Sequence, residues 1–236
     1  MKNLCVFLLF LFFTLFFSCS AQIAGIVSEN GAGEIFITTS LGPATIELIQ
    51  SVQNSLWGQT GNANVLDGQE ISRSMASAPG VGSITLMNTG PASLHGSLVV
   101  SNMGDLLAMP GTENRFITYS TEGGSSSLLI HMDRGNAPIL ISMLSPDVEE
   151  YLLALNAPIV TGEDESREEY LGLLRRFYSS AIADEISSAN ILAIFHFPRP
   201  VRSALGGEID GRIVEFNIPL LDVLVLEQPL RYEAHW

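Results

Sequence analysis

Both cysteines of this chain, Cys5 and Cys19, fall within its first nineteen residues. Everything beyond Cys19, about 215 residues, has no internal disulfide to draw on and must be held by its core. A chain of that length buries enough apolar surface to fold as one domain or two small ones. Two cysteines so placed also leave no thiol pair for a metal cage in the body of the protein.

The residues around those cysteines read as a secretory leader. Lys2 supplies a positive start, the apolar block "LCVFLLFLFFTLFF" follows, and the small residue Ser18 ends it. That block is shorter than the roughly 20 apolar residues of a membrane-spanning helix. Residues 1–18 are therefore expected to be a signal peptide. Six of the twelve phenylalanines lie in it, so the mature chain is poorer in aromatic residues than the whole.

The end of the leader, "LFFSCS", resembles the lipobox of bacterial envelope lipoproteins, in the looser form of spirochaete-type sequences. In that resemblance Leu15 is the branched apolar residue, Ser18 precedes the cut and Cys19 accepts the lipid. Phe16 and Phe17 stand where Leu and a small residue are commoner, and Leu15 lies one place upstream of the usual position. The resemblance implies that Cys19 becomes the first residue and carries several acyl chains, enough for stable anchoring. The protein would then be exported and held on a bacterial membrane, at the outer membrane or the periplasmic face. The alternative is secretory cleavage after Ala21, with Cys19 and Ala21 as the small residues, leaving a soluble periplasmic or secreted protein.

Charge narrows the partners. Lys2 is the sole lysine, so the mature chain sets ten arginines against 25 acidic residues, a net of −15. No basic stripe exists to neutralise phosphates, and nucleic acid is excluded as a partner. An acidic body is not drawn to an anionic membrane surface either, so something covalent or apolar must hold it at a membrane.

Past the leader the pattern is mixed. Ile35 and Ile37 alternate with polar neighbours as in a strand, Pro43 opens a helix, and Ile46, Ile49, Val52 and Leu56 recur at helical spacing. "GQTGNAN" closes that helix. About a hundred residues on, Ile139–Met143 reads as a strand, with Ser145 as N-cap and Pro146 as the first helical residue; Tyr151, Leu152 and Leu155 mark the buried face. The shared frame is strand, Leu-x-Pro, helix. A second echo sets "GSLVVSNMGDLLAM" (96–109) beside "GRIVEFNIPLLDVLVL" (211–226), each followed by a strand, "RFITYS" or "LRYEAHW". These echoes suggest two related halves, 19–135 and 136–236, which together can form one compact domain.

Ser166 and Glu169 form a capping box for one long helix over 166–189, and Asp67 caps a weaker one at "DGQEISRSMASA". "ILAIFHFPRPV", "GRIVEFNIPL" and the C-terminus read as strands, and Pro198, Pro200, Pro219 and Pro229 place them at edges and bends. The expected fold class is α+β: mainly antiparallel sheets packed by amphipathic helices. The C-terminal alternation ending on Trp236 resembles the last strand of an outer-membrane barrel, but a long internal helix is foreign to such barrels.

No catalytic or metal site emerges. His95, His131, His196 and His235 lack ligand spacing, no cofactor is implied, and the acidic "TGEDES" lacks the register of a calcium loop. His131 and Asp133 share one strand face and are the one candidate acid–base pair. "GGSSSLL" reads as a hairpin turn, and the turns at 31–33 and 79–83 carry no phosphate fingerprint. Arg199 and Arg202 are a local basic feature, expected in surface salt bridges, with an anion or lipid head group as the alternative. The functional expectation is a non-catalytic, lipid-anchored envelope lipoprotein that binds an amphiphile or another envelope component. A structural or assembly lipoprotein acting through protein contacts is the alternative, and an exported hydrolase using His131 and Asp133 a third reading. Ligand-binding residues are not assigned by sequence.

Overall fold

The computed structural model describes residues 20–57, 67–77, 79–90, 92–107, 116–142 and 146–236. The expected signal peptide 1–18, Cys19, the expected turn "GQTGNAN" and Ser145 lie outside these residues. Strands β1 (Ser20–Val27) and β2 (Gly33–Ser40) form a hairpin whose turn puts Gly31 at φ 79°. Helices α1 (Pro43–Trp57) and α2 (Gly68–Met75) follow, then strands β3 (Val81–Gly90) and β4 (Ser93–Val100) and the short helix α3 (Met103–Leu107). Strands β5 (Ile117–Glu122) and β6 (Ser125–Met132) form a hairpin through Gly123 and Gly124, both at positive φ.

Five helices then run in series: α4 (Ala137–Ser142), α5 (Pro146–Ala154), α6 (Pro158–Thr161), α7 (Arg167–Phe177) and α8 (Ser180–Ser188). The chain returns to sheet with β7 (Asn190–His196), β8 (Ser203–Leu205), β9 (Gly207–Asp210) and β10 (Ile213–Pro219). Helix α9 (Leu220–Val225) and strand β11 (Leu230–His235) close it.

The fold is α+β. One seven-stranded sheet has the order β3-β4-β2-β1-β7-β10-β9, and a four-stranded sheet has the order β5-β6-β11-β8. Their pairings are antiparallel except β1 with β7, which run parallel. The two sheets face each other across a shared core that includes Leu98, Leu128, Phe195, Phe197, Phe216 and Trp236. Alternation decides which residues point inward. Ile35 and Ile37 of β2 face the core and Phe36 faces out, 42 % exposed.

The helices build a second core at the end of the large sheet where β2 and β10 finish and β7 begins. Tyr170 and Leu174 of α7, Ile182 and Ile186 of α8, and Leu221 and Leu224 of α9 pack there with Leu48 of α1. Spacing at i, i+3 and i+4 along α7 and α8 puts these residues on one face.

Several expectations need correction. The helix expected over 166–189 is two helices. The capping box forms as expected, with Glu169 N–H on the Ser166 hydroxyl and Ser166 N–H on the Glu169 carboxylate. At Ser179, however, the backbone is extended and its hydroxyl accepts from Ile182 N–H at 3.2 Å, so a fresh N-cap restarts the chain as α8. Tyr178, in the break, donates its hydroxyl to the Ala154 carbonyl.

Of the strand expected at Ile139–Met143, residues 139–142 belong to helix α4, and Met143 lies outside the described residues. Asp133 accepts N–H bonds from Gly135 and Asn136 and turns the chain directly after β6, and Ala137 N–H then bonds to the Asp133 carbonyl at 2.9 Å. An apolar run this short has no decisive period of its own. The strand–Leu-x-Pro–helix frame therefore lacks its strand in the second half. The other echo keeps its elements: β4, α3 and β5 on one side, β10, α9 and β11 on the other.

The prolines misled about edges. β7 lies between β1 and β10, β10 between β7 and β9, and β11 between β6 and β8. Pro198 and Pro200 stand beyond the end of β7, Pro219 at the end of β10 and Pro229 just before β11. Strand β1, which the alternation in "QIAGIV" permits but the sequence reading leaves unassigned, fills the middle of the large sheet.

Candidate functional site

Between the two sheets lies a cavity of about 390 Å³. One wall is the inner face of the large sheet, where Ile23 of β1, Ile35 of β2, and Ile191, Ala193 and Phe195 of β7 meet it. The opposite wall is the inner face of the small sheet, with Leu128, Ile130 and Met132 of β6 and Ile117 of β5. Met75, Met103, Leu106 and Phe116 close one flank, and methionine's unbranched, polarisable chain adapts to varied apolar shapes.

None of the lining residues is charged, and none is a histidine. The side-chain polar atoms among them belong to Tyr119, Tyr232 and Trp236. Burial pushes the Tyr232 hydroxyl above its usual pKa, and the Asp222 carboxylate adds to that, so the group stays neutral. A water held in such a space lacks the two to four polar partners that make buried water favourable. A charge placed within it would be unpaired and costly. Hydrocarbon is the chemical class that this wall accepts without penalty.

The candidates read from sequence lie elsewhere. His131 and Asp133 do form a pair, with Nε2 and Oδ2 3.2 Å apart. His131 points to the opposite face of β6 from Ile130 and Met132, so neither member of the pair lines the cavity. Asp133 is held below the usual carboxylate range chiefly by the Asn136 N–H, with Gly135 N–H and His131 adding to it. This is the chemistry of a turn that starts a helix. His196 is exposed while Phe195 and Phe197 are buried, as alternation requires. His235 bonds to Glu233 at 2.9 Å on the outer face of the small sheet.

In the acidic loop, Asp164 pairs with Arg134 at 2.7 Å and Glu163 accepts from Asn156. Burial, with the neighbouring Glu163 and Glu169, pushes Glu165 upward. Among the described residues there is no group of three or more His, Cys, Asp or Glu side chains able to hold a metal ion. No helix among them is long and apolar enough to cross a membrane.

Arg199 and Arg202, expected in surface salt bridges, form none among the described residues: neither guanidinium has a carboxylate there within ion-pair distance. Arg199 donates to the Gly124 carbonyl and the Ser126 hydroxyl, and Arg202 to the Ser125 hydroxyl, all on the β5–β6 hairpin.

Sequence reading missed the cavity residues of β1 and the methionine flank. The alternation of Ile23, Gly25 and Val27 was the available signal for β1. The flank arises from α2, α3 and Phe116, segments whose meeting no local period encodes.

No protein-family model matches the chain, and no curated protein matches it in sequence. Among solved structures it is similar to the NMR structure of the folded domain of the Mycobacterium tuberculosis LppM protein, at 12 % identity and a TM-score of 0.42. That similarity covers 92 % of this chain and 88 % of the other.

Proposed function

We propose that this chain is a lipid-anchored cell-envelope lipoprotein with a non-catalytic body that holds the apolar part of an amphiphile between its two sheets. The observation that carries the binding reading is the cavity of about 390 Å³ with a wall free of charge. Filling it with hydrocarbon removes both partners from water, at roughly 25 cal/mol for each Å² of apolar surface.

The anchoring reading gains from the position of β1. That strand starts at Ser20, directly after Cys19 in the chain, and Ser20 and Ala21 pair with β2 on one side and β7 on the other. Cleavage before Cys19 leaves the central strand whole. Cleavage after Ala21 removes two of its paired residues.

A second reading, an assembly lipoprotein working through protein contacts, draws on the outer face of the large sheet. Ile26, Phe36 and Val99 are 49 %, 42 % and 39 % exposed there. Glu34 stands directly between Ile26 and Val99 in the strand register, however, which breaks the apolar surface. The cavity is continuous, so ligand binding is the better supported of the two.

The test is a fractionation followed by extraction. Protein recovered from membranes is expected to yield a bound hydrocarbon-bearing molecule by mass spectrometry. The Ala193→Trp form, whose indole occupies the cavity, is expected to yield none, and Cys19→Ser is expected to shift the protein to the soluble fraction. Wild-type protein that is empty, or Cys19→Ser protein that stays in the membrane fraction, overturns the corresponding half of the proposal.

A further inference from the structure

The cavity is not uniform from end to end. Along the inner face of the small sheet the cross-strand rows run Met132–Leu230, then Ile117–Ile130–Tyr232, then Tyr119–Leu128–Ala234, and finally Thr121–Ser126–Trp236. The first three rows are apolar but for two phenols, whereas the last carries two hydroxyls. Those hydroxyls are linked: Thr121 Oγ1 lies 3.1 Å from Ser126 Oγ and 3.4 Å from the Tyr119 hydroxyl.

Arg199 reaches this same row. Its Nη2 donates to Ser126 Oγ at 3.3 Å, and Ser126 is itself only 5 % exposed. Arg199 follows Phe197, which lines the cavity and stacks on Trp236 with ring centroids 4.1 Å apart. Among the described residues the guanidinium has no ion pair, and its Nε is buried without an acceptor. Four of the nine described arginines form ion pairs; among the five that do not, Arg199 is set apart by a buried Nε without a partner beside an apolar slot. Arg202, donating to the adjacent Ser125, adds a second unneutralised guanidinium on the solvent side. Thr121 and Gly124 are exposed, so this end of the slot meets water.

We infer that Arg199, with Ser126, Thr121 and the Tyr119 hydroxyl, forms a head-group site for an anionic single-chain amphiphile whose tail runs into the cavity. The inference rests on the reading of the cavity as a hydrocarbon site and adds the sign of the head, its position and the direction of entry. A carboxylate or a phosphate monoester supplies what the site lacks: an oxygen acceptor for Nε and a counter-charge for the guanidinium. The tail then enters past Tyr119 and Trp236, which line the cavity. Their rings, in contact with centroids 6.0 Å apart, must part to admit it toward the fully apolar rows. A neutral head leaves the guanidinium uncompensated.

The experiment compares three probes of one chain length on the mature protein stripped of bound lipid: dodecanoate, dodecyl phosphate and dodecanol. Calorimetric titration below the micellar concentration is expected to show both anions binding about 10- to 100-fold more tightly than the alcohol, the scale of a charge-assisted hydrogen bond. The tighter of the two anions identifies the head as carboxylate or phosphate. Arg199→Gln is expected to remove the preference for anions and leave dodecanol affinity unchanged, and Arg199→Lys to restore part of it. Equal binding of alcohol and anions by wild type overturns the head-group site while the hydrocarbon cavity stands. Equal weakening of all three probes by Arg199→Gln overturns it too, because Arg199 then serves only to hold the hairpin. Absence of binding by all three overturns the cavity reading itself.

Discussion

At the scale of single residues, Glu185 ties together parts of the chain that lie far apart in sequence. Its carboxylate, on α8, accepts from the Ala44 and Thr45 N–H groups at 2.8 and 2.9 Å and from the Thr45 hydroxyl at 2.9 Å. These donors open α1, whose own first turn has no acidic residue. A carboxylate borrowed from another helix thus satisfies the free N–H groups and faces the positive end of the dipole. Gly42 makes room for it, since a Cβ there would stand 2.5 Å from that carboxylate. Glu185→Ala is expected to destabilise the fold by about 1–3 kcal/mol, the range for losing a cap and a charged acceptor. Urea unfolding measures it. Sequence could not show this partnership, because 141 residues separate Ala44 from Glu185. The Ser166–Glu169 box was legible for the opposite reason: its two members lie within one helical turn.

At the scale of elements, the backbone of β3 comes close to β4 at Gly96, which has no Cβ to obstruct it. A Cβ on Gly96 would sit 1.9 Å from the Thr85 carbonyl oxygen and 2.8 Å from the Leu86 Cα, both backbone atoms of β3. Irregularities at Val81/Ser83 and Asn88/Gly90 bend the same strand. Helix α2 then covers β3, with the Ser72 hydroxyl accepting from Leu86 N–H and Asn88 accepting from Gly68 N–H. Gly96→Ala is expected to cost about 1–3 kcal/mol or more, because the obstacle is main chain and cannot rotate away. A thermal melt checks this, and amide exchange in β3 is expected to accelerate with it. The elements that sequence placed well, β2, α1, α7 and β11, have a strong period or a local cap. Those it misplaced, α4 and the break at Ser179, depend on turns whose side-chain bonds override an apolar run.

For the molecule as a whole, both sheets are built across the boundary between the proposed halves. β1 pairs with β7 over seven residues, and β6 pairs with β11 over six. On either side of β1 the large sheet has three strands in matching order, β2-β4-β3 and β7-β10-β9, so β1 joins two similar triplets. Residues 19–135 and 136–236 produced separately are expected to remain unfolded, and to regain the far-ultraviolet spectrum of the intact chain when mixed. A cooperative melt from either piece alone would show that the halves are autonomous.

The sequence alone determined the absence of internal disulfides, the acidic body, the α+β class and the helices that carry their own caps. These are properties of composition and of neighbours within a turn. Tertiary structure alone decided that β1 is central, that two apolar sheet faces meet around a cavity, and that Arg199 ends beside the hydroxyls of β5 and β6. The reason is that each of these depends on which faces pack together, and a period of two fixes a strand's faces but not its partner.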